Sequence, residues 1–175
     1  MRYLRYYLIA LAVFLLDLYT KRLVKTHIEL HDIVPVWGDF FALTYYLNRG
    51  AAFGILQGQQ PFFLAVTVVF LVGIVYYMHK SIRQGNKLLP VALSLMLGGA
   101  VGNFLDRLLH GEVVDFALLT FRFNFFGLQV NYQYPIFNVA DSGIVIGTLI
   151  VVIDSIIAWR RESKQAAKES SHDAV

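Results

Sequence analysis

Asp115 and Asp141 are two carboxylates set beside long apolar runs. The first lies inside Val113-Val114-Asp115-Phe116, and the second closes Phe137-Asn138-Val139-Ala140-Asp141. An ionised carboxylate near hydrocarbon is costly, so one kept there marks a functional site by default. If the two meet, their chemistry follows from charge. Two carboxylates a few ångströms apart in a low-dielectric site share one proton rather than both ionising. The charged member takes a proton from water, and the neutral member donates to a carbonyl oxygen and then to a leaving amine. Such a pair titrates as a unit, and the sequence does not assign the shared proton to either member. The bland alternative is two separately satisfied structural aspartates. The sharper one is an aspartyl hydrolase working within a membrane.

Other polar groups along the chain also need an explanation. Asp17 and Lys21 are spaced i, i+4 with the acid first, the favourable order for a helical ion pair, and a structural brace accounts for them. Asn48-Arg49-Gly50-Ala51-Ala52-Phe53-Gly54 mixes a polar pair with small residues. It reads as a tight turn before a re-entrant or amphipathic segment, or as an amide offered to a bound peptide. Gly98-Gly99-Ala100-Val101-Gly102 suits close helix packing in lipid. Asn103 and Arg107 follow on one helix face, and Asp106 beside Arg107 reads as an interfacial ion pair. Asp154 is too far along its helix from Asp141 to join it and is expected to be structural.

Composition decides what must position these groups. The 175 residues are 57% hydrophobic and 15% charged, against about 45–50% and about 25% in soluble domains. The excess apolar surface calls for lipid. The sequence predicts an all-α membrane protein with four transmembrane helices, about 6–24, 61–78, 88–105 and 136–159. Each is near the ~20 residues that cross ~30 Å of hydrocarbon. Residues 1–160 read as a single membrane-embedded domain and 161–175 as a polar cytoplasmic tail without regular structure. Arg2, Arg5, Lys80, Arg83, Lys87, Arg160, Arg161, Lys164 and Lys168 all fall on one side of that arrangement. This side is the cytoplasm by the positive-inside rule, which makes both termini cytoplasmic. On the other side, Asp39 to Leu47 and Phe121 to Tyr134 read as short strands, with Gly127 as a turn, forming a small extracytoplasmic β-containing subdomain.

Several function classes drop out. The chain has no cysteine, so it has no disulfide framework, thiolate nucleophile or cysteine-ligated metal. His27, His31, His79, His110 and His172 form no His-Glu-x-x-His zinc pattern, and no serine sits in a Gly-x-Ser-x-Gly setting. The net charge of +3 belongs to membrane-edge anchors and not to a nucleic-acid surface.

Five motifs in order carry a resemblance: Asp17-x-x-x-Lys21, Asn48-Arg49-Gly50-Ala51-Ala52-Phe53, Gly98-Gly99-Ala100-x-Gly102-Asn103-x-x-Asp106-Arg107, Val113-Val114-Asp115-Phe116, and Phe137-Asn138-x-Ala140-Asp141-Ser142. With them the chain resembles the lipoprotein signal peptidase (signal peptidase II) family over most of its length. The resemblance implies an aspartyl peptidase, multi-pass in the bacterial cytoplasmic membrane, with its site toward the extracytoplasmic face. Its substrates would be diacylglyceryl-modified prolipoproteins, cut just before the lipidated cysteine, and the cyclic peptide globomycin would inhibit it. Asp115 and Asp141 would be the catalytic pair. Asn48, Gly50, Asn103, Arg107 and Asn138 would line or brace the site, while Asp17, Lys21 and Asp106 would form structural ion pairs. No metal or other cofactor is implied, and a monomer in membrane lipid is expected. The chain departs from the family pattern between Asp115 and Asp141. There Phe121 to Tyr134 looks longer and more strand-like, replacing or extending an amphipathic lid helix. Two other classes compete: a Mg²⁺-dependent membrane transferase acting on lipid phosphates, and a proton-coupled carrier using the aspartates as a relay.

Overall fold

The computed structural model describes residues 2–50 and 58–172. Its elements run α1 (Leu4–His27), β1 (Ile33–Trp37), β2 (Phe41–Asn48), α2 (Gln60–Arg83), α3 (Leu88–His110), β3 (Val113–Phe125), β4 (Leu128–Gln133) and α4 (Val139–His172). The molecule is mostly helical, with one antiparallel sheet in the order β1-β2-β3-β4. The two stretches that alternate or run aromatic in the sequence do form strands, and the region 121–134 is a hairpin and not a helix.

Helix α3 is central and touches α1, α2 and α4. Its small residues explain why. A Cβ on Gly98 would strike the Ala10 carbonyl oxygen of α1, one on Gly99 the Ala140 carbonyl oxygen of α4, and one on Gly102 would come within 2.5 Å of Asp17 Oδ2. From the other side, a Cβ on Gly147 of α4 would lie 2.6 Å from the Ala92 carbonyl oxygen. Lipid supplies no hydrophobic force between helices, so such backbone proximity and the contacts it permits hold the bundle. Tyr6, Ala10, Ile74, Met78, Ile82, Leu93 and Leu97 form an apolar core toward one end. A second core of Val24, Val114, Phe116 and Ala117 joins the sheet to the other end.

Helix α3 ends at Gly111, whose φ of +78° suits a left-handed cap and whose N–H returns to the Arg107 carbonyl. The apolar span expected from the sequence closes near residue 105, and the helix itself runs on to His110. Its extra turn keeps Asp106 and Arg107 helical and delivers the chain directly into β3. Helix α4 continues to His172, so the tail expected to lack regular structure is helical in backbone as far as that residue.

Among the described residues, three helices are long and apolar enough to cross a membrane: Gln60–Arg83, Leu88–His110 and Val139–Gln165. Helix α1 is as long, but Arg5, Asp17, Lys21, Arg22 and Lys25 place it outside that set. Leu8, Leu11, Leu15 and Leu18 of α1 nevertheless face outward, as do Phe62, Val66, Val69 and Val72 of α2 and Val145, Leu149, Val152 and Ile156 of α4. A water-soluble monomer rarely exposes so much contiguous apolar surface. The arrangement is that of a membrane protein.

Candidate active site

The site forms where β3, the head of α4 and the last turns of α3 converge. Register sets the first carboxylate. Asp115 on β3 lies opposite Tyr46 on β2, and a bulge between Leu43 and Tyr46 adjusts the pairing there. Asn48, two residues beyond Tyr46, is on the same side of β2, since strand side chains alternate. Its Nδ2 donates to Asp115 Oδ2 at 2.8 Å. The chain entering α4 then runs alongside β3. Phe116 and Ala117 donate to the Phe137 carbonyl, and the Phe137 N–H returns to the Ala117 carbonyl. This short ladder sets Asn138 against Asp115, and Asn138 Nδ2 donates to Asp115 Oδ1 at 2.7 Å.

The second carboxylate is set by a helix cap. Asn138 Oδ1 accepts the Asp141 N–H at 2.9 Å, while Asp141 Oδ2 accepts the Asn138 N–H at 3.1 Å. This is a reciprocal capping box in which an Asp takes the usual Glu or Gln position. Asp141 also sits in the first helical turn, where the helix dipole favours negative charge. Asn103 Nδ2 donates to its free oxygen, Oδ1, at 2.7 Å. One asparagine, Asn138, therefore holds both aspartates: its side-chain amide binds Asp115 and its backbone binds Asp141.

Behind this pair lies a buried network. Lys21 Nζ contacts Asp17 Oδ2 at 2.7 Å, Asp106 Oδ2 at 2.9 Å and Asn103 Oδ1 at 3.0 Å. Three ammonium protons meet three acceptors, so the charge is satisfied without water. Asp17 Oδ1 accepts the Ala140 N–H, tying α1 to the head of α4. Asn103 Oδ1 also accepts from Asn138 Nδ2 at 3.1 Å. With Oδ1 committed to Lys21 and Asn138, Asn103 must present its Nδ2 to Asp141.

Asp115 and Asp141 both line a cleft of about 1170 Å³, with Asn48, Asn103, Arg107 and Tyr46 among its walls. Asp115 is buried, at 2% exposure. Burial is the main reason its carboxyl is pushed up to about 7, with the nearby Asp141 charge adding to it; the Asn48 and Asn138 hydrogen bonds and the Lys21 charge oppose the rise. A carboxyl raised this far holds its proton much more readily than an ordinary aspartate does.

The family profile described as signal peptidase (SPase) II matches residues 9–157. The chain belongs to the signal peptidase II family. It is 48% identical over 156 residues to the lipoprotein signal peptidase of Bacillus pumilus, covering 89% of this chain and 95% of that one. It is 43% identical over 166 residues to the lipoprotein signal peptidase of Halalkalibacterium halodurans, covering 95% and 98%. A solved structure described as a bacterial membrane enzyme, determined by the in meso method at 2.3 Å resolution, superposes with a TM-score of 0.74. It has 39% identity and covers 87% of each chain. Signal peptidase II is a peptidase family, and this chain has its fold.

Most polar residues singled out in the sequence come together in this signal peptidase II fold, Asp106 joining Asp17 and Lys21 as the resemblance implies, and one expected contact does not form. Asp106 pairs with Lys21 and not with its neighbour Arg107, because adjacent helical residues point in different directions. Arg107 instead donates to the Gly50 carbonyl at 3.2 Å and lies 5.0 Å over the Phe63 ring. Gly50 is turned back by its N–H on Asn48 Oδ1. The re-entrant or amphipathic segment expected after it falls on residues 51–57, outside the described residues. Asp154 accepts from Asn86 Nδ2 at the far end of the bundle, clear of the cleft. Sequence reasoning missed Gln60, whose Nε2 donates to the Arg107 carbonyl at 2.6 Å. It also missed the Ala140 N–H that anchors Asp17. Neither carries a sequence signal: one is a lone amide before Pro61, and the other is a backbone group.

Proposed function

We propose that this protein is an aspartyl endopeptidase of the bacterial cytoplasmic membrane. It removes signal peptides from diacylglyceryl-modified prolipoproteins, cutting just before the lipidated cysteine. One observation carries this reading: Asn138 holds Asp115 and Asp141 together on the wall of a single cleft. The curated relatives are named for lipoprotein signal peptides, which supports the substrate class.

The chemistry uses one proton between two carboxyls. The ionised carboxylate takes a proton from water, whose oxygen attacks the scissile carbonyl carbon. The neutral carboxyl gives its proton to the carbonyl oxygen. As the tetrahedral diol collapses, the C–N bond breaks, the proton gained from water passes to the leaving nitrogen, and one diol hydroxyl returns its proton to the carboxylate that had donated, which restores the singly protonated pair. The donors from Asn48, Asn103 and Asn138 keep the pair singly ionised, and burial keeps the second proton on. Asn48, Gly50, Asn103, Arg107 and Asn138 are positioning groups; Asp17, Lys21 and Asp106 brace them.

Four membrane spans are part of this reading, with α1 as the first. Its charged pair is turned inward and satisfied, so its outer face is apolar. The ends of the bundle support the orientation. Tyr7 and His79 lie 2.8 Å apart, and Asn86 meets Asp154, so the basic residues near both termini and in the α2–α3 connection gather at the end opposite the cleft. That end is cytoplasmic and the cleft extracytoplasmic. Signal helix and lipid anchor then arrive laterally through the bilayer, and water arrives from outside. The working unit is a monomer.

The test uses the purified protein with a lipidated prolipoprotein peptide. Cleavage before the modified cysteine is expected, blocked by globomycin and indifferent to EDTA. Asp115→Asn and Asp141→Asn should each cut the rate by at least ~10²–10⁴-fold, the range general acid–base catalysis supplies, while remaining folded. Full activity in either variant overturns the assignment. Activity abolished by EDTA and restored by Mg²⁺ moves the protein to the lipid-phosphate transferases.

A further inference from the structure

The cleft that holds the two aspartates has two unlike ends. At one, Ile144 and Val145 line it, about one helical turn past Asp141 along the apolar helix α4. Val145 is exposed on the outside of the bundle. At the other end Leu30, His31, Ile33 and Thr44 line it, and none of these belongs to a helix. Asp141 stands with the helical end and Asp115 with the sheet.

Thr44 is the group at the sheet end that local structure does not explain. It is only 3% exposed, and its hydroxyl has no hydrogen-bond partner among the described residues. Threonines of the helices bond their own backbone instead: Thr20 donates to the Leu16 carbonyl, Thr67 to Phe63 and Thr148 to Ile144. The Thr44 backbone is already paired with Ile33 of β1. A buried hydroxyl without a partner is destabilising, and valine suits a strand as well without that penalty. An unmet hydroxyl on a cleft wall is a group open to a ligand.

Its place on β2 says how far from the aspartates it acts. The bulge between Leu43 and Tyr46 holds Thr44 and Tyr45, and bulges beside active sites re-aim side chains. Tyr45 packs on the apolar core of Val24 and Phe116, while Thr44, Tyr46 and Asn48 all line the cleft. Asp115 lies opposite Tyr46 and is bonded by Asn48. Thr44 is therefore displaced from Asp115 by roughly 7–13 Å of extended strand. A peptide lying extended beside β2 advances at the same ~3.3 Å per residue, so it meets Thr44 about two to four residues from the bond at Asp115.

We infer that Thr44 binds the main chain of the substrate on the mature side of the cut, at about the second to fourth residue after the cleaved bond, the lipidated cysteine being the first. This rests on the peptidase reading, in which signal helix and lipid anchor arrive through the bilayer. They take the α4 end of the cleft, so the chain that leaves along the sheet is the mature segment. A hydroxyl both donates and accepts. It can therefore hold a peptide main chain of any sequence, as an enzyme with many lipoprotein substrates requires.

The test crosses two variants with a series of substrates. Thr44→Val keeps the branched shape and removes only the hydroxyl, and Thr44→Ser keeps the hydroxyl. Lipidated peptides share one signal-side sequence and end, as C-terminal amides, at the cysteine or at successive positions beyond it. For the parent, kcat/KM should rise as the peptide grows past the second to fourth residue. Thr44→Val should lack that rise and fall about 3–10-fold below the parent on the longest peptides, the size of one hydrogen bond, mainly through KM. Its Tm should equal or exceed the parent's, and Thr44→Ser should follow the parent on every length. Equal kcat/KM for parent and Thr44→Val on all lengths overturns the inference and leaves the peptidase reading intact. An equal loss on all lengths, the shortest included, also overturns it, because the hydroxyl then acts on the aspartates or on the fold. A parent that cleaves none of the peptides overturns the peptidase reading and this subsite with it.

Discussion

The two carboxylates are held by opposite kinds of structure. Asp141 is gripped from the helical back of the site, where a capping box and Asn103 fix it and Lys21 fixes Asn103. Asp115 rides on the sheet at the front, where Asn48 leads directly into the segment beginning at residue 51. Behind Asp141 the Lys21 network is closed and buried among three helices, although Asp141 itself is half-buried and lines the cleft. The front shares its hydrogen bonds with a strand, a turn and the wall of an open cleft. The difference teaches that two chemically alike groups can be fixed by unrelated means, a helix cap for one and sheet register for the other. One half of the acid pair is tied to the helices alone, and the other hangs between the sheet and the head of α4.

The largest expected effect tests the back. Lys21→Met leaves Asp17 and Asp106 without a cation in an interior where Lys21 and Asp17 side chains are 4% and 1% exposed. Removing one partner of a buried pair costs ~3–5 kcal/mol, which thermal unfolding in detergent would report as a large fall in Tm. The matching change at the front is Arg49→Met. It breaks the Arg49–Glu112 pair, in which Arg49 is 72% exposed, and should change stability by less than ~1 kcal/mol. Equal losses in the two variants would erase the contrast between back and front.

The next effect belongs to Asp115 and has a definite sign. Its carboxyl is raised from 3.8 in the unfolded chain to about 7 in the fold. Folding therefore favours the protonated form. The stability this contributes is fully present below pH ~4 and is lost as pH rises through ~7. A shift of about 3 units at ~1.4 kcal/mol each gives roughly 4 kcal/mol as the ceiling. Asp115→Asn removes the ionisation, so its Tm should exceed that of the parent at pH 8 by more than at pH 5. A constant difference across that range would show that Asp115 is not the group titrating. Peptidase activity, if it needs the shared proton, should fall on the alkaline side with an apparent pKa near 7.

Smaller again is Gly102→Ala. The added Cβ would sit 2.5 Å from Asp17 Oδ2 and 3.5 Å from Ala140 Cβ. Overpacking of this kind costs ~1–3 kcal/mol, and here it also presses on the brace behind Asp141. Urea or thermal unfolding should register it. The open-space glycine Gly73 of α2, with nothing within 4 Å, should tolerate alanine or gain from it.

Much of this arrangement was legible in the sequence, for identifiable reasons. Polar residues are so costly beside hydrocarbon that each one flags itself, and Asp17, Lys21, Asn103, Asp106, Asp115, Asn138 and Asp141 were all found this way. The run Gly98 to Gly102 announced a closely packed helix, and alternation announced the 121–134 hairpin. Partner identity was the illegible part. Asp106 was matched to Arg107 because they adjoin, whereas its cation comes from Lys21 on another helix, and no local spacing encodes that meeting. The apolar run closes near residue 105, yet the i, i+4 spacing of Asn103 and Arg107 already reads as helix beyond it. In the fold they are inward-facing residues of a helix that continues to a glycine cap. The backbone donors that complete the site, at Ala140 and Asn138, have no side-chain signature at all.

The smallest effect is the most discriminating. Asn48→Ala removes one of the two side-chain donors to Asp115 and leaves Asn138 in place. A single hydrogen bond to a charged group contributes ~1.5–3 kcal/mol when intact, and much of that is recovered if water from the cleft replaces the amide. The stability loss should therefore be ~1 kcal/mol or less. The proton balance should move more visibly. The Asn48 bond lowers the Asp115 carboxyl against burial and the Asp141 charge, so its loss raises that group further above 7. The alkaline limb of the rate profile should shift upward, and the Tm advantage of low pH should extend to higher pH. Asn103→Ala, the corresponding deletion at the back, should instead collapse stability and activity together, because it also strips Lys21 and Asn138 of an acceptor. If Asn48→Ala behaved like Asn103→Ala, the front of the site would be as rigid as its back, and substrate entry would have to be sought elsewhere.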